Sequence, residues 1–317
     1  MRVLVTGGAG FIGSTTAEVL IDRGDDVVVI DNLSTGPRSN VPTRATFVDG
    51  DVGDVALVRS LGGFDACVHF AGSIAPADSM RSPEAFFTNN VAQTFELLRV
   101  LIDSGTERFV FSSSCAVYGD DVTVPIDESH PTRPHSPYGE SKLIVENALR
   151  WLSSLSRIKA ASLRYFNAAG GTLEHPEQHV NEFHLIPLAL AAAAGQRPGL
   201  DLFGTDYPTR DGTCVRDYIH VSDLATAHAR AIDALGDHQH LTLNLGTGTG
   251  YTNREIIDEV MRVTGRTFDV RETGRRPGDP AEAVAANDLA RRTLRWSLEH
   301  SSLAEIVTDA WAAFQNL

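Results

Sequence analysis

Tyr138 and Lys142 stand four residues apart in Tyr138-Gly139-Glu140-Ser141-Lys142, and Ser114 closes the run Ser112-Ser113-Ser114 upstream. On a helix that spacing places a phenol and an ammonium on one face. A free tyrosine, with a pKa of about 10, is a poor base at neutral pH. A nearby cation favours the phenolate, and a fall of roughly 3 units needs about 4 kcal/mol of differential stabilisation. A hydroxyl from Ser114 could share the substrate proton. Together the three make a device that takes a proton from an alcohol and returns it. The bare Tyr-x-x-x-Lys spacing fits equally a surface pair worth a few tenths of a kcal/mol. The elements around it have to decide.

The N-terminus changes the balance. Arg2-Val3-Leu4-Val5-Thr6 patterns as a buried strand, and Gly7-Gly8-Ala9-Gly10-Phe11-Ile12-Gly13 follows it directly. An amphipathic stretch over 14–23 leads to a second apolar strand that ends in Asp31. This is the strand, glycine turn, helix, strand, acid order of a dinucleotide site. The glycines permit a tight turn and close backbone approach, and the helix N-terminus receives the pyrophosphate. An acid at the end of the second strand accepts hydrogen bonds from the adenosine ribose and repels a 2'-phosphate, so Asp31 points to NAD rather than NADP.

Apolar runs near 2–6, 27–31, 45–49, 65–70, 107–112 and 159–164 alternate with helical patterns near 11–23, 54–61, 83–104 and 137–155. The alternation predicts an α/β fold, a Rossmann-like doubly wound parallel sheet with helices on both faces. Ligands then gather at the carboxyl ends of the strands, where the glycines, Asp31 and Ser112 to Ser114 all fall. Beyond Gly170 a helix is expected over 183–195, a strand at 200–203, a loop at 204–213, and helices near 222–235, 252–264 and 301–315. A strand near 242–245 should return to the main sheet. The expected division is a dinucleotide-binding domain over 1–170 and a smaller, interleaved substrate-binding domain over 171–317, with the substrate in the cleft between them.

Of the 317 residues, 42% are hydrophobic and 21% charged, the balance of a soluble globular chain. No run is long and apolar enough to cross a membrane, and no secretion signal is patterned, so a cytoplasmic setting is expected. The net charge of −14 argues against nucleic acid and anionic membranes as partners, and requires locally placed arginines to hold a pyrophosphate. Cys67, Cys115 and Cys214 cannot all pair and lack metal-ligand spacing; Cys67 and Cys115 are expected to be structural thiols. No metal site is expected. His175 and His179 have an i,i+4 spacing, but Pro176 and the glycines before them favour a solvated loop. His238 and His240 should be exposed.

Further segments carry a resemblance: His69-Phe70-Ala71-Gly72, Asn89-Asn90-Val91, Phe111 to Gly119, Leu163-Arg164-Tyr165-Phe166-Asn167, Asp211 to His220, Asn244 to Gly248 and Arg276-Pro277-Gly278-Asp279. In this order and spacing, over nearly the whole chain, they resemble the extended short-chain dehydrogenase/reductase family, and within it the UDP-sugar 4-epimerases. The resemblance implies a UDP-glucose/UDP-galactose 4-epimerase activity through a 4-keto intermediate with bound NAD. Tyr138, Ser114 and Lys142 would be catalytic. Cofactor contacts would come from Gly7, Gly10, Phe11, Ile12, Gly13, Asp31, Asn32, Asp51, Val52, Phe70, Ala71, Asn90, Ser112, Tyr138, Lys142, Tyr165 and Phe166. Arg216 and Arg276 would hold the substrate pyrophosphate, and Asn167, Leu185, Phe203 and Asp279 the nucleotide. Such enzymes commonly dimerise through helices that correspond here to 83–104 and 137–155.

Two positions set this chain apart within that likeness. Ile74 stands where a lysine often reaches the cofactor ribose, which bears on how tightly NAD is retained. Ala283 falls where a tyrosine restricts the sugar pocket to plain hexoses, and a small residue there leaves room for the N-acetyl group of UDP-GlcNAc or UDP-GalNAc. Pentose and uronic-acid substrates are alternatives, as is a non-catalytic NAD-binding sensor or scaffold. Nucleotide-sugar dehydratases place an Asp-Glu pair where Cys115 and Ala116 stand, so elimination of water is a poor reading.

Overall fold

The computed structural model describes residues 1–120, 122–179, 182–276 and 278–317. Strands β1 (Arg2–Thr6), β2 (Asp26–Asp31), β3 (Thr46–Asp49), β4 (Ala66–His69), β5 (Arg108–Ser114) and β6 (Lys159–Tyr165) begin and end within two residues of where the apolar runs put them. They continue with β7 (Asn167–Ala169), β8 (Gly199–Phe203), β9 (Val215–His220), β10 (His240–Leu245), β11 (Gly250–Thr252), β12 (Asp269–Thr273) and β13 (Glu282–Ala283). Among the described residues, seven of them form one parallel sheet in the order β10-β6-β5-β4-β1-β2-β3. The order reverses between β1 and β4, the switch point at which such sheets bind ligands. As expected, the late strand β10 returns, pairing Leu243 with Leu163 and Leu245 with Tyr165.

Val3, Leu4, Val5, Val29 and Ile30 are fully buried, because a parallel sheet with helices on both sides leaves neither face to water. On one side α1 (Phe11–Asp22) and α8 (Val221–Ala234) bury Ala17, Leu20, Leu224 and Ile232. On the other, α2 (Val55–Ser60), α5 (Gln93–Asp103) and α6 (Pro137–Ser154) bury Val58, Leu97, Leu101, Val145 and Leu149. The single helix expected over 83–104 is instead built in pieces. After a short α3 (Pro76–Ser79), α4 (Pro83–Phe87) runs through a π-helical stretch at Thr88–Ala92 into α5. A π-helical stretch changes which side chains face the sheet, and such stretches recur at functional sites.

The second half is richer in strand than expected. β9 pairs with β7, β11 and β13, and β8 pairs with β12. Helices α7 (Leu185–Ala193), α9 (Asn253–Thr264) and α11 (Leu303–Phe314) share a separate core through Ile186, Leu190, Ile257, Val260 and Ile306, while α10 (Asp288–Leu294) packs on the main one. The unexpected strands are two to six residues long, and β12 is mostly exposed, so neither length nor alternation announced them.

Candidate active site

The glycine turn after β1 is held by contacts that admit no side chain. Gly7 has φ +69°, and a Cβ on it would lie 2.6 Å from the Ala71 nitrogen. A Cβ on Gly13 would lie 2.3 Å from the Gly7 carbonyl oxygen, so α1 presses directly on the turn. The first turn of α1 carries no acidic residue, which leaves its positive end free for an anion. Asp31, at the end of β2, accepts the amide hydrogens of Ala9 (2.9 Å) and Leu33 (2.8 Å) and is thereby tied to the turn. Burial raises its pKa, and those two bonds oppose the rise. Asp51 accepts from the Gly53 amide at 2.8 Å and lies 3.4 Å from Asn32 Nδ2.

Ser114 ends β5, two residues beyond the strand end expected at 112. Ser136 caps α6 by accepting from the Gly139 amide at 3.2 Å, and Pro137 sets the first turn, so Tyr138 faces back toward Ser114. Lys142, one turn on, is buried; its Nζ donates to the Ser112 carbonyl at 2.8 Å. It sits 5.0 Å from the Phe111 ring centre and 5.8 Å from that of Tyr138. Burial pushes Tyr138 up to about 12, against a hydrogen bond from Ser114. Burial also lowers Lys142 to about 8, with the Glu146 carboxylate opposing. Burial therefore outweighs the expected effect of the cation on the phenol, and the ammonium is engaged with the Ser112 carbonyl.

A cavity of ≈ 1520 Å³ runs from the glycine turn past this group to β9 and β13. That exceeds the roughly 300–1,000 Å³ of a site for one drug-sized ligand and suits two nucleotides. Every residue expected to touch cofactor or substrate lines it except Asn90. Asn90 lies behind the wall, donating to Ser73 O and Ser141 Oγ at 3.0 Å and accepting from the Ser73 amide at 2.7 Å. Asn89, in the π-helical stretch, and Gln93, just after it, line the cavity instead. The Tyr165 hydroxyl bonds Ser112 Oγ.

At the far end Arg216 and Arg276 both face Asp279. Arg276 Nε donates to it at 2.9 Å, and Arg216 Nη2 lies 3.7 Å away. Arg216 also donates to the Pro280 carbonyl at 2.8 Å, and Arg276 lies 5.0 Å from the centre of the Phe203 ring. Pro277 of that motif lies outside the described residues. Ile74 lines the cavity at the position discussed above. Ala283 sits in β13 opposite Arg216, 8% exposed, packed with Phe166 and on the cavity wall.

Other expectations need correction. His175 is not solvated but buried, 4% exposed, with Nε2 3.6 Å from Glu18. His179 pairs with His184, ring centres 5.0 Å apart, among Glu177 and Glu182. All four line the cavity, so His179 does not sit in the solvated loop expected of it, and Glu177, Glu182 and His184 were passed over by sequence reading. His238 is exposed and His240 half-buried at the start of β10. Cys67 and Cys214 are buried and unpaired, and burial pushes the unpaired Cys115 thiol up to about 11, away from nucleophilic thiolate chemistry.

Comparison with known proteins places this architecture. The NAD dependent epimerase/dehydratase family model matches residues 3–246. A UDP-glucose 4-epimerase of Corynebacterium glutamicum is 43% identical over 313 residues, 98% of this chain and 95% of that one. The crystal structure of UDP-glucose 4-epimerase from Brucella ovis in complex with NAD superposes with a TM-score of 0.95 at 43% identity, covering 99% of this chain and 98% of that one. UDP-glucose-4-epimerase from Stenotrophomonas maltophila, with bound NAD and formylated UDP-arabinopyranose, gives 0.96 at 38% identity, with 99% and 98% covered.

Proposed function

Because this chain belongs to the NAD dependent epimerase/dehydratase family, we propose that it is a UDP-glucose 4-epimerase, an isomerase that interconverts UDP-glucose and UDP-galactose with bound NAD. The observation that carries the reading is the assembly of Ser114, Tyr138 and Lys142 in one cavity with the glycine turn and two arginines. The turn fits the cofactor: Gly7 and Gly13 leave a bare backbone cradle, α1 offers its amide end, and Asp31 suits an unphosphorylated ribose. Asp51, Val52, Phe70 and Ala71 would line the rest of that half. When bound, NAD supplies the hydride acceptor and donor for C4 of the sugar.

The chain's own groups do the proton work. Tyr138 takes the proton of the 4-hydroxyl and later returns it, which requires the phenolate that burial alone disfavours. Lys142 can leave the Ser112 carbonyl for the phenol and the nicotinamide ribose, placing a positive charge where the phenolate forms. Ser114 holds the same sugar oxygen. Arg216 and Arg276 exchange Asp279 for the substrate's pyrophosphate, while Asn167, Leu185 and Phe203 hold the nucleotide.

Incubating the purified protein with UDP-galactose and following UDP-glucose by NMR tests the reading; no conversion by folded, NAD-supplemented protein would exclude it. A broader range has one observation behind it: Ala283, the small residue on the wall, leaves room for the acetamido group of UDP-GlcNAc and UDP-GalNAc. The chain contains no membrane-crossing helix among the described residues. Its unpaired cysteines suit the cytoplasm, and the exposed Phe95 on α5, Trp151 on α6 and Leu155 at the end of α6 suit a homodimer.

A further inference from the structure

The segment that leads into α7 brings four ligand-type side chains to one point. Glu177, His179, Glu182 and His184 each offer one nitrogen or oxygen, and those atoms all lie within 4.8 Å of one another. His184 Nδ1 is 2.7 Å from Glu182 Oε1 and 3.2 Å from Glu177 Oε1. His179 Nδ1 is 3.1 Å from Glu182 Oε2 and 3.8 Å from Glu177 Oε1. Ligands about 2.0–2.2 Å from a tetrahedral ion are separated from each other by about 3.3–3.6 Å. The four distances, which reach both oxygens of Glu182, run from 2.7 to 3.8 Å around that spacing.

A hydrogen-bonded cluster accounts for only half of this arrangement. Glu182 is satisfied, with Oε1 accepting from the amides of Phe183 and His184 at 2.8 Å. Glu177 is different. Its side chain is 7% exposed, and among the described residues its carboxylate accepts no hydrogen bond. Its near neighbours of opposite kind are the two imidazole nitrogens. A buried carboxylate aimed at two imidazole nitrogens is an arrangement that a cation held between them would stabilise.

We propose that Glu177, His179, Glu182 and His184 bind one divalent transition-metal ion, of which zinc best fits two imidazoles and two carboxylates. Magnesium and calcium prefer all-oxygen sets and more ligands than this cluster offers. Four protein ligands close the coordination sphere, so the ion is structural. It pins the cavity wall next to Leu185 and takes no part in the proton transfer at Tyr138.

The test uses untagged protein, stripped with EDTA, dialysed into metal-free buffer and titrated with zinc chloride by calorimetry. Metal analysis after removal of free zinc should give about one ion per chain, and the melting temperature should rise on zinc addition. Cobalt(II) in place of zinc should give the intense visible absorption of a tetrahedral site. The double substitution Glu177→Gln, His179→Ala should weaken zinc binding by more than the roughly 10- to 100-fold that loss of an outer-shell partner costs. Folded wild-type protein that retains no zinc overturns the proposal, as does a variant that binds zinc like the wild type. If the variant does not fold, the cobalt spectrum decides: weak absorption of octahedral type in the wild type overturns it equally, since protonated histidines then supply the charge.

Discussion

Burial drives Tyr138 and Lys142 toward neutrality from opposite sides, Tyr138 up to about 12 and Lys142 down to about 8. For Lys142 this has a thermodynamic signature. Below pH 8 both folded and unfolded chains carry the proton, and the burial penalty is felt in full. Between about 8 and the free-lysine value near 10.4 the unfolded chain binds more protons, so the unfolding free energy rises with pH. Lys142→Met has no such group. Urea unfolding of cofactor-free protein should show the wild type gaining up to about 3 kcal/mol on the variant across that window. A constant difference would mean that Lys142 is not depressed. Turnover should fall about 10² to 10⁴ in Tyr138→Phe, which keeps the ring and removes the titrating oxygen; near-normal kcat in a folded variant would remove Tyr138 from the mechanism. At the cavity wall, Ala283→Tyr should abolish activity on UDP-GlcNAc and leave UDP-glucose largely untouched, read from parallel kcat/KM values. Equal losses on both would take Ala283 out of the sugar pocket. Spacing and glycine patterning pointed to the proposed trio, but the state of their protons depends on burial and on the Ser112 carbonyl, which no spacing encodes.

The elements are held in place by a polar network that sequence reading missed. Glu146, one turn beyond Lys142 on α6, accepts from Arg164 Nε at 2.9 Å and also bonds Arg164 Nη2 and Ser113 Oγ. Arg164 Nη1 donates to the Tyr118 hydroxyl at 2.9 Å, which in turn donates to Asn244 Oδ1 at 2.7 Å. The network ties the helix that carries Tyr138 and Lys142 to β5, β6 and β10. Removing one partner of a buried ion pair costs about 3–5 kcal/mol, because the other charge is left uncompensated. Glu146→Ala should lose that much in urea unfolding, and Glu146→Leu with Arg164→Met should recover a good part of it. A loss under about 1 kcal/mol in the single variant would mean that water replaces the carboxylate. Arg164 was visible only as part of a motif, since its partner lies 18 residues away and nothing local links them. The π-helical stretch at Thr88–Ala92 escaped for a related reason: apolar periodicity marks a helix without marking a change of pitch.

At the scale of the whole molecule, the parallel sheet was legible because most of its strands are apolar runs set between helical patterns, and the returning β10 shows itself by alternating leucines. The second sheet, built from strands as short as Glu282–Ala283, gains its strand character only from β9 and could not be read ahead. The surface makes a definite forecast of assembly. The exposed positions Phe95, Glu96 and Arg99 on α5, with Ala92 just before it, follow one stripe, and Asn147 and Trp151 on α6, with Leu155 at its C-cap, follow another. Both helices cover the same sheet face, with Leu97 and Leu101 sharing a core with Val145 and Leu149. Phe95 is 40%, Trp151 62% and Leu155 66% exposed, which is much apolar area for a surface of net charge −14. A two-fold pairing of this helix pair would bury it as a four-helix bundle. Sedimentation at micromolar concentration should therefore give a dimer. Phe95→Asp with Trp151→Asp should yield a monomer with unchanged circular dichroism, because exposed substitutions typically shift stability by no more than about 0.5 kcal/mol. A wild type that sediments as a monomer, or a doubly charged variant that stays dimeric, would move the interface off these helices.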